Sequence, residues 1–246
     1  MQNNKNTKHI KLVCFSPQVM IATFVLEITL AVYVGLRFVI NKPLRVVLAI
    51  LILLATFQLS EYGICEQFGL TGTTWAQAGF SAITLLPPLG LHLVYMIANK
   101  RLGLRSIAIY APAFIWITLF VLGGIMKGQG CSGNYVIFQI KKPYDLLYYA
   151  WYDLLLLFAV ARAWLNIRLT KSKQFITANW SLIVGYLSFI VPSILIRLLF
   201  TFNDKTASAL PSIMCGFAVV FALVLATKTT PAVTTATLGS NKSKSR

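Results

Sequence analysis

Seven stretches of the chain are dominated by Leu, Ile, Val, Phe and Ala, and short polar or basic segments separate them. They are 17–37, 45–64, 75–98, 106–126, 144–167, 177–201 and 207–228. Each is near the roughly 20 residues an α-helix needs to cross the hydrocarbon of a bilayer. The runs are continuous, whereas a membrane β-barrel shows short strands that alternate apolar and polar positions. Lipid offers no partner to a free backbone N–H or C=O, so long apolar runs are expected to fold as helices. The pattern predicts an all-α membrane protein, a seven-transmembrane-helix bundle over 17–228. A polar N-terminal segment, 1–16, precedes it. A Thr-, Ser- and Lys-rich tail, 229–246, follows with the composition of a disordered segment. The basic start and first apolar run have the outline of a signal peptide. That run, however, extends to Val39 and carries Glu27 in its middle, so it reads as the first span.

Composition sharpens this picture. Hydrophobic residues are 57% of the chain and charged residues 11%, with a mean hydropathy of +0.74. A soluble domain carries about 25% charged residues, so lipid is the expected solvent for much of this surface. The formal net charge of +16 raises nucleic acid as a partner, but the cations sit in small clusters between apolar runs. Arg37, Lys42 and Arg45 form one set. Lys100, Arg101 and Arg105 form a second, and Arg162, Arg168, Lys171 and Lys173 a third, with Lys228, Lys242, Lys244 and Arg246 near the C-terminus. Acidic residues fall in the alternate loops or near them, as Glu61, Glu66, Asp145 and Asp204. Lys and Arg mark cytoplasmic loops. The expected topology therefore has the N-terminus outside and the C-terminus cytoplasmic, in a cell membrane. Lys5, Lys8 and Lys11 point the other way, against the consistent vote of the internal loops. The lipid bilayer is the expected partner, and nucleic acid is not.

Much chemistry is missing from the sequence. His9 and His92 are the two histidines, too few for a haem held between a His pair or for a multi-His zinc site. The last apolar run has no lysine before Lys228, which argues against a retinal Schiff base. Neither a Gly-rich phosphate loop nor Gly-x-Ser-x-Gly occurs. No enzyme activity and no cofactor are expected.

Ionisable groups inside spans are costly and often functional. Glu27, Asp153, Arg197 and Glu61 are the candidates, with Asp153–Arg197 the expected ion pair because a buried charge demands a partner. Such groups either clamp helices or contact a ligand. His92 reads as a packing residue. Tyr149 and Asp153 are four apart and share a face with Asp145, as an interfacial aromatic belt or as a ligand-lining stripe. Pro87, Pro88 and Pro192 interrupt helical hydrogen bonding and are candidate hinges. Cys65 and Cys131 are the favoured disulfide, with Cys14 a rival partner, and Cys215 reads as a small apolar residue. The run Tyr135 to Phe138 has β character and predicts a short hairpin over the bundle.

Glu61 closing the second span, Trp75 opening the third and Leu86-Pro87-Pro88 in its middle form a recognisable set. With Gly185, Val191-Pro192 and Pro211, it resembles the seven-helix N-terminal sensor region of bacterial histidine kinases. Those kinases continue into catalytic domains, and only a short tail follows the last span here. The resemblance therefore implies a stand-alone sensor signalling to a separate cytoplasmic partner. In that reading a small or lipid-borne ligand binds in the outer half, with Asp153, Arg197, Glu61, Tyr149, Glu27 and Trp75 as contact or gating residues. A small secondary transporter or channel built on Glu27 and Asp153 is the alternative, and a structural membrane subunit is a further one.

Overall fold

The computed structural model describes residues 17–100, 102–131, 136–199 and 210–234. These form seven helices and one hairpin. The helices are α1 (Pro17–Arg37), α2 (Lys42–Glu66), α3 (Gly72–Ile97), α4 (Arg105–Val121), α5 (Tyr144–Leu169), α6 (Lys173–Leu199) and α7 (Leu210–Val224). A π turn, Leu225–Thr229, continues α7, and the chain stays helical through 230–234. Six of the helical segments are long and apolar enough to cross a membrane, and Ser106–Val121 in α4 is a shorter apolar helix.

Local chemistry sets the helix ends. Asn41 caps α2 by accepting from the Leu44 N–H at 3.0 Å, and Pro43 stands in the first turn, where its missing N–H costs nothing. Thr71 caps α3 in the same way, accepting from Thr74 N–H. The turn between them is pinned by Trp75, whose indole N–H donates to the Phe68 carbonyl at 2.6 Å. The ring lies against Gly63 so closely that a Cβ there would overlap it.

The fourth helix departs from expectation. The apolar run predicted a span to residue 126, yet α4 stops at Val121. Gly124 adopts φ +58°, a left-handed conformation natural to glycine, and Ile125 and Met126 turn away into the hairpin instead. Hydropathy reads only the apolar character of 122–126, not this break.

The hairpin pairs β1 (Met126–Cys131) antiparallel with β2 (Val136–Ile140), with a register shift between Met126 and Gly128. Val136, Phe138 and Ile140 alternate with positions on the other face and are buried. They pack with Phe57, Phe80, Phe120 and Tyr148 in one of two apolar clusters. The Cys65–Cys131 disulfide ties β1 to the end of α2, as the sequence suggested; Cys14 and the Cys215 side chain lie outside the described residues.

Helix α3 organises the bundle. It packs against α2, α4, α5, α6 and β1, while α6 packs on α7 and α7 reaches back to α1 and α2. The second apolar cluster, which includes Val47, Leu51, Leu91, Ala163, Leu182 and Phe221, fills the rest of the interior. Outward positions carry large apolar side chains such as Leu104, Leu122, Leu154 and Leu195. A membrane-embedded bundle presents such a face to lipid. One end of the bundle bears the hairpin and disulfide. The other gathers Arg37, Lys42, Lys100, Arg168, Lys171 and Lys173 at the joined ends of α1 and α2, of α3, and of α5 and α6.

Candidate functional site

The most unusual chemistry lies between α1 and α2. Thr23 and Glu27 are four apart on α1, and Gln58 and Glu61 three apart on α2, so each pair shares a helix face. Packing of α1 on α2 turns both faces inward. The Thr23 hydroxyl donates to the Met20 carbonyl at 2.8 Å and lies 3.0 Å from Gln58 Oε1. Gln58, Glu27 and Glu61 are all buried, and Glu27 lies within electrostatic reach of Glu61. Neither carboxyl oxygen of Glu27 has a hydrogen-bond partner among the described residues. A carboxylate isolated in this way is very expensive, so the group calls for a proton, a donor or a cation.

Other expected site residues are placed differently. Asp153 is half-buried on α5, within electrostatic reach of Tyr152 and Tyr148. Helix α2 packs on α1, α3 and α7, and α5 on α3 and α6, so α3 is the neighbour shared by the helices that carry Glu61 and Asp153. The acid shown within electrostatic reach of Glu61 is Glu27. The Arg197 side chain, and with it the expected Asp153–Arg197 pair, lies outside the described residues. Trp75 holds the α2–α3 turn. Tyr149 sits edge-on to Tyr148, ring centres 5.4 Å apart.

Pro87 and Pro88 are buried within α3, and Pro192 is half-buried within α6; both helices continue through them. The turn preceding the proline pair carries a polar bridge that the sequence reading missed. The Thr84 hydroxyl lies 3.0 Å from the Tyr148 hydroxyl and also bonds the Phe80 carbonyl. Tyr148 is fully buried and touches Phe80, Phe120, Trp116, Trp151 and Tyr152. Only its position in the aromatic run Tyr148 to Tyr152 hinted at this role. Further bridges join α3 to α4 through His92 and Tyr110, at 2.9 Å, and α6 to the π turn through Ser181 and Thr229, at 2.7 Å. Near the basic end, Arg162 lies over the Tyr95 ring, 5.0 Å from its centre.

Length, composition and packing of these helices decide the class. The chain is a multi-pass α-helical membrane protein. Comparison with known proteins finds neither a matching family profile nor a matching curated relative. Two residues behind the likeness to kinase sensor regions have local roles in this fold: Trp75 pins a turn, and Glu61 joins the buried polar face of α2.

Proposed function

We propose that this protein is a receptor-like membrane sensor with its hairpin end outside and its basic end in the cytoplasm. A small or lipid-borne ligand enters the outer half, and a separate cytoplasmic partner reads the response. The observation that carries this reading is the orphaned Glu27 carboxyl midway along α1, within electrostatic reach of Glu61, which lies toward the hairpin end of α2. A simple clamp would pair its charges. A carboxyl held without a donor suits a ligand that brings one, such as an amine or a hydroxyl group. Prolines within α3 and α6 give two helices that can bend, and signalling requires the ligand to bind two helix arrangements unequally. The density of Lys and Arg at the opposite end supports the orientation.

The test is a thermal-shift screen of small amines and alcohols on detergent-purified protein, with Glu27→Gln and Glu61→Gln beside the wild type. A ligand that raises the wild-type melting temperature by mass action, and loses its effect in both folded variants, is the expected result. A ligand whose shift survives both substitutions would remove the acidic pair from the site.

Glu27 also favours a second reading. It lies midway along α1, where a proton-coupled carrier keeps its acidic group. Uptake driven by a pH gradient into proteoliposomes, abolished in Glu27→Gln, would select the carrier; ligand binding without transport selects the sensor.

A further inference from the structure

At the basic end, α3, α5 and α6 surround a cavity of about 340 Å³. Its apolar walls are Ile97, Leu169 and Phe175, and its polar lining is Asn99, Lys100, Asn166 and Asn179. Asn166 and Asn179 are 7% and 1% exposed. Asn166 uses both of its amide hydrogens, donating to the Val94 carbonyl at 3.2 Å and to Asn179 Oδ1 at 3.3 Å. Asn179 uses one of its own, toward the Phe175 carbonyl at 2.8 Å. One acceptor, Asn166 Oδ1, and one donor, an Asn179 N–H, thus remain without partners among the described residues, on side chains that line the cavity. Both groups are thus open to a molecule in the cavity.

The surroundings say what would satisfy them. Phe175 lies in the first turn of α6, where backbone N–H groups lack acceptors within the helix and the dipole favours an anion. Lys100 is exposed at the end of α3, and Lys171 and Lys173 stand in the neighbouring α5–α6 turn. The cavity's donors therefore include Lys100, the Asn99 and Asn179 amides, the Thr170 hydroxyl and the start of α6, all suited to phosphate oxygens. Asn166 Oδ1 needs a donor in return, such as a hydroxyl. Leu169, 76% exposed, carries the apolar wall out to the surface of the bundle.

We infer that this cavity is a binding site for an anionic phospholipid of the cytoplasmic leaflet, its phosphate held by Lys100 and Asn179 and its headgroup hydroxyl by Asn166. Basic pockets between helices at the cytoplasmic interface suit such headgroups. We take the source to be a membrane lipid and not a free phosphate ester, because Ile97, Leu169 and Phe175 give the cavity an apolar wall that reaches the surface at Leu169, where an acyl chain can lie. The leaflet assignment rests on the proposed orientation. The site itself does not, since it is tested where both faces of the bilayer are alike.

The full chain would be purified in nanodiscs of phosphatidylcholine with a minority of phosphatidylglycerol, and its retained lipid identified by native mass spectrometry. The wild type should keep one phosphatidylglycerol. Removing one cation near an anionic surface lowers occupancy by about fivefold, so Lys100→Gln should show that loss. Asn179→Leu should abolish retention. Because Lys100 is exposed, its variant stays informative even if Asn179→Leu fails to fold. Glycerol phosphate without acyl chains should compete poorly. Equal retention of phosphatidylcholine, or retention unchanged in Lys100→Gln, would overturn the assignment. So would displacement of the lipid by glycerol phosphate alone or by an acidic peptide, which would give the cavity to a soluble ester or a protein partner.

Discussion

The two ends of this bundle are built from different materials. At the hairpin end, Phe57, Phe80, Phe120, Phe138 and Tyr148 pack ring against ring under strands anchored by the Cys65–Cys131 bond. At the basic end, cohesion near the surface comes from the Asn166–Asn179 pair and from Arg162 over Tyr95, beside an open cavity. A covalently fastened, ring-filled end resists rearrangement. An end joined by amides and bordered by a cavity can shift with less lost packing. In the proposed sensor, that contrast would separate a rigid receiving end from an adjustable transmitting end.

The contrast can be broken most severely at the disulfide. In the chain-entropy account, opening a loop set by a separation of 66 residues removes about 4 kcal/mol. Cys65→Ser or Cys131→Ser should therefore lower the melting temperature in detergent more than any single change at the basic end. Reductant should reproduce the loss in wild type and have no effect in the variants. Gly63→Val, which forces the Trp75 indole off its seat, should cost about 1–3 kcal/mol, read as a lower melting temperature and a shifted tryptophan emission. Thr84→Val leaves the buried Tyr148 hydroxyl without that partner, and should cost about 1–3 kcal/mol. Tyr148→Phe added to it should recover part of the loss, a non-additivity that a double-mutant cycle measures. Glu27→Leu should go the other way. Exchanging an unsatisfied buried acid for an apolar side chain should raise stability by about 1 kcal/mol while abolishing any ligand response. If Glu27→Leu instead destabilises, the carboxyl has a structural partner and the proposed site loses its main support.

The sequence shows the helices more readily than their neighbours. Apolar runs located the seven described helices, because lipid forces the backbone to satisfy itself within each run, but missed the early end of α4 at Val121 and the continuation of the last helix to 234, into the expected disordered tail. The strand pattern around Tyr135 to Phe138 and the positions of Cys65 and Cys131 anticipated the hairpin and its bond. Partner choice was harder. In lipid the outward face is as apolar as the inward one, so hydropathy does not say which face of α1 meets α2. The proximity of Glu27 and Glu61 comes from packing between helices, and the charge pattern suggested Asp153–Arg197 instead. The Asn166–Asn179 pair escaped notice for a related reason: two uncharged asparagines thirteen residues apart carry no charge or motif that singles them out. The early end of α4 depended on the backbone conformation at Gly124, which apolar counting overlooks.

The position of the disulfide has a practical corollary. Residues 65 and 131 flank the turn at 98–104, where Asn99, Lys100 and Gly103 are exposed. A single protease cut in that turn would leave two fragments that migrate together on a non-reducing gel and part once the thiols are reduced. Sealed vesicles digested from one side at a time would then convert a covalent staple on one face of the membrane into a reporter of which face the opposite turn occupies.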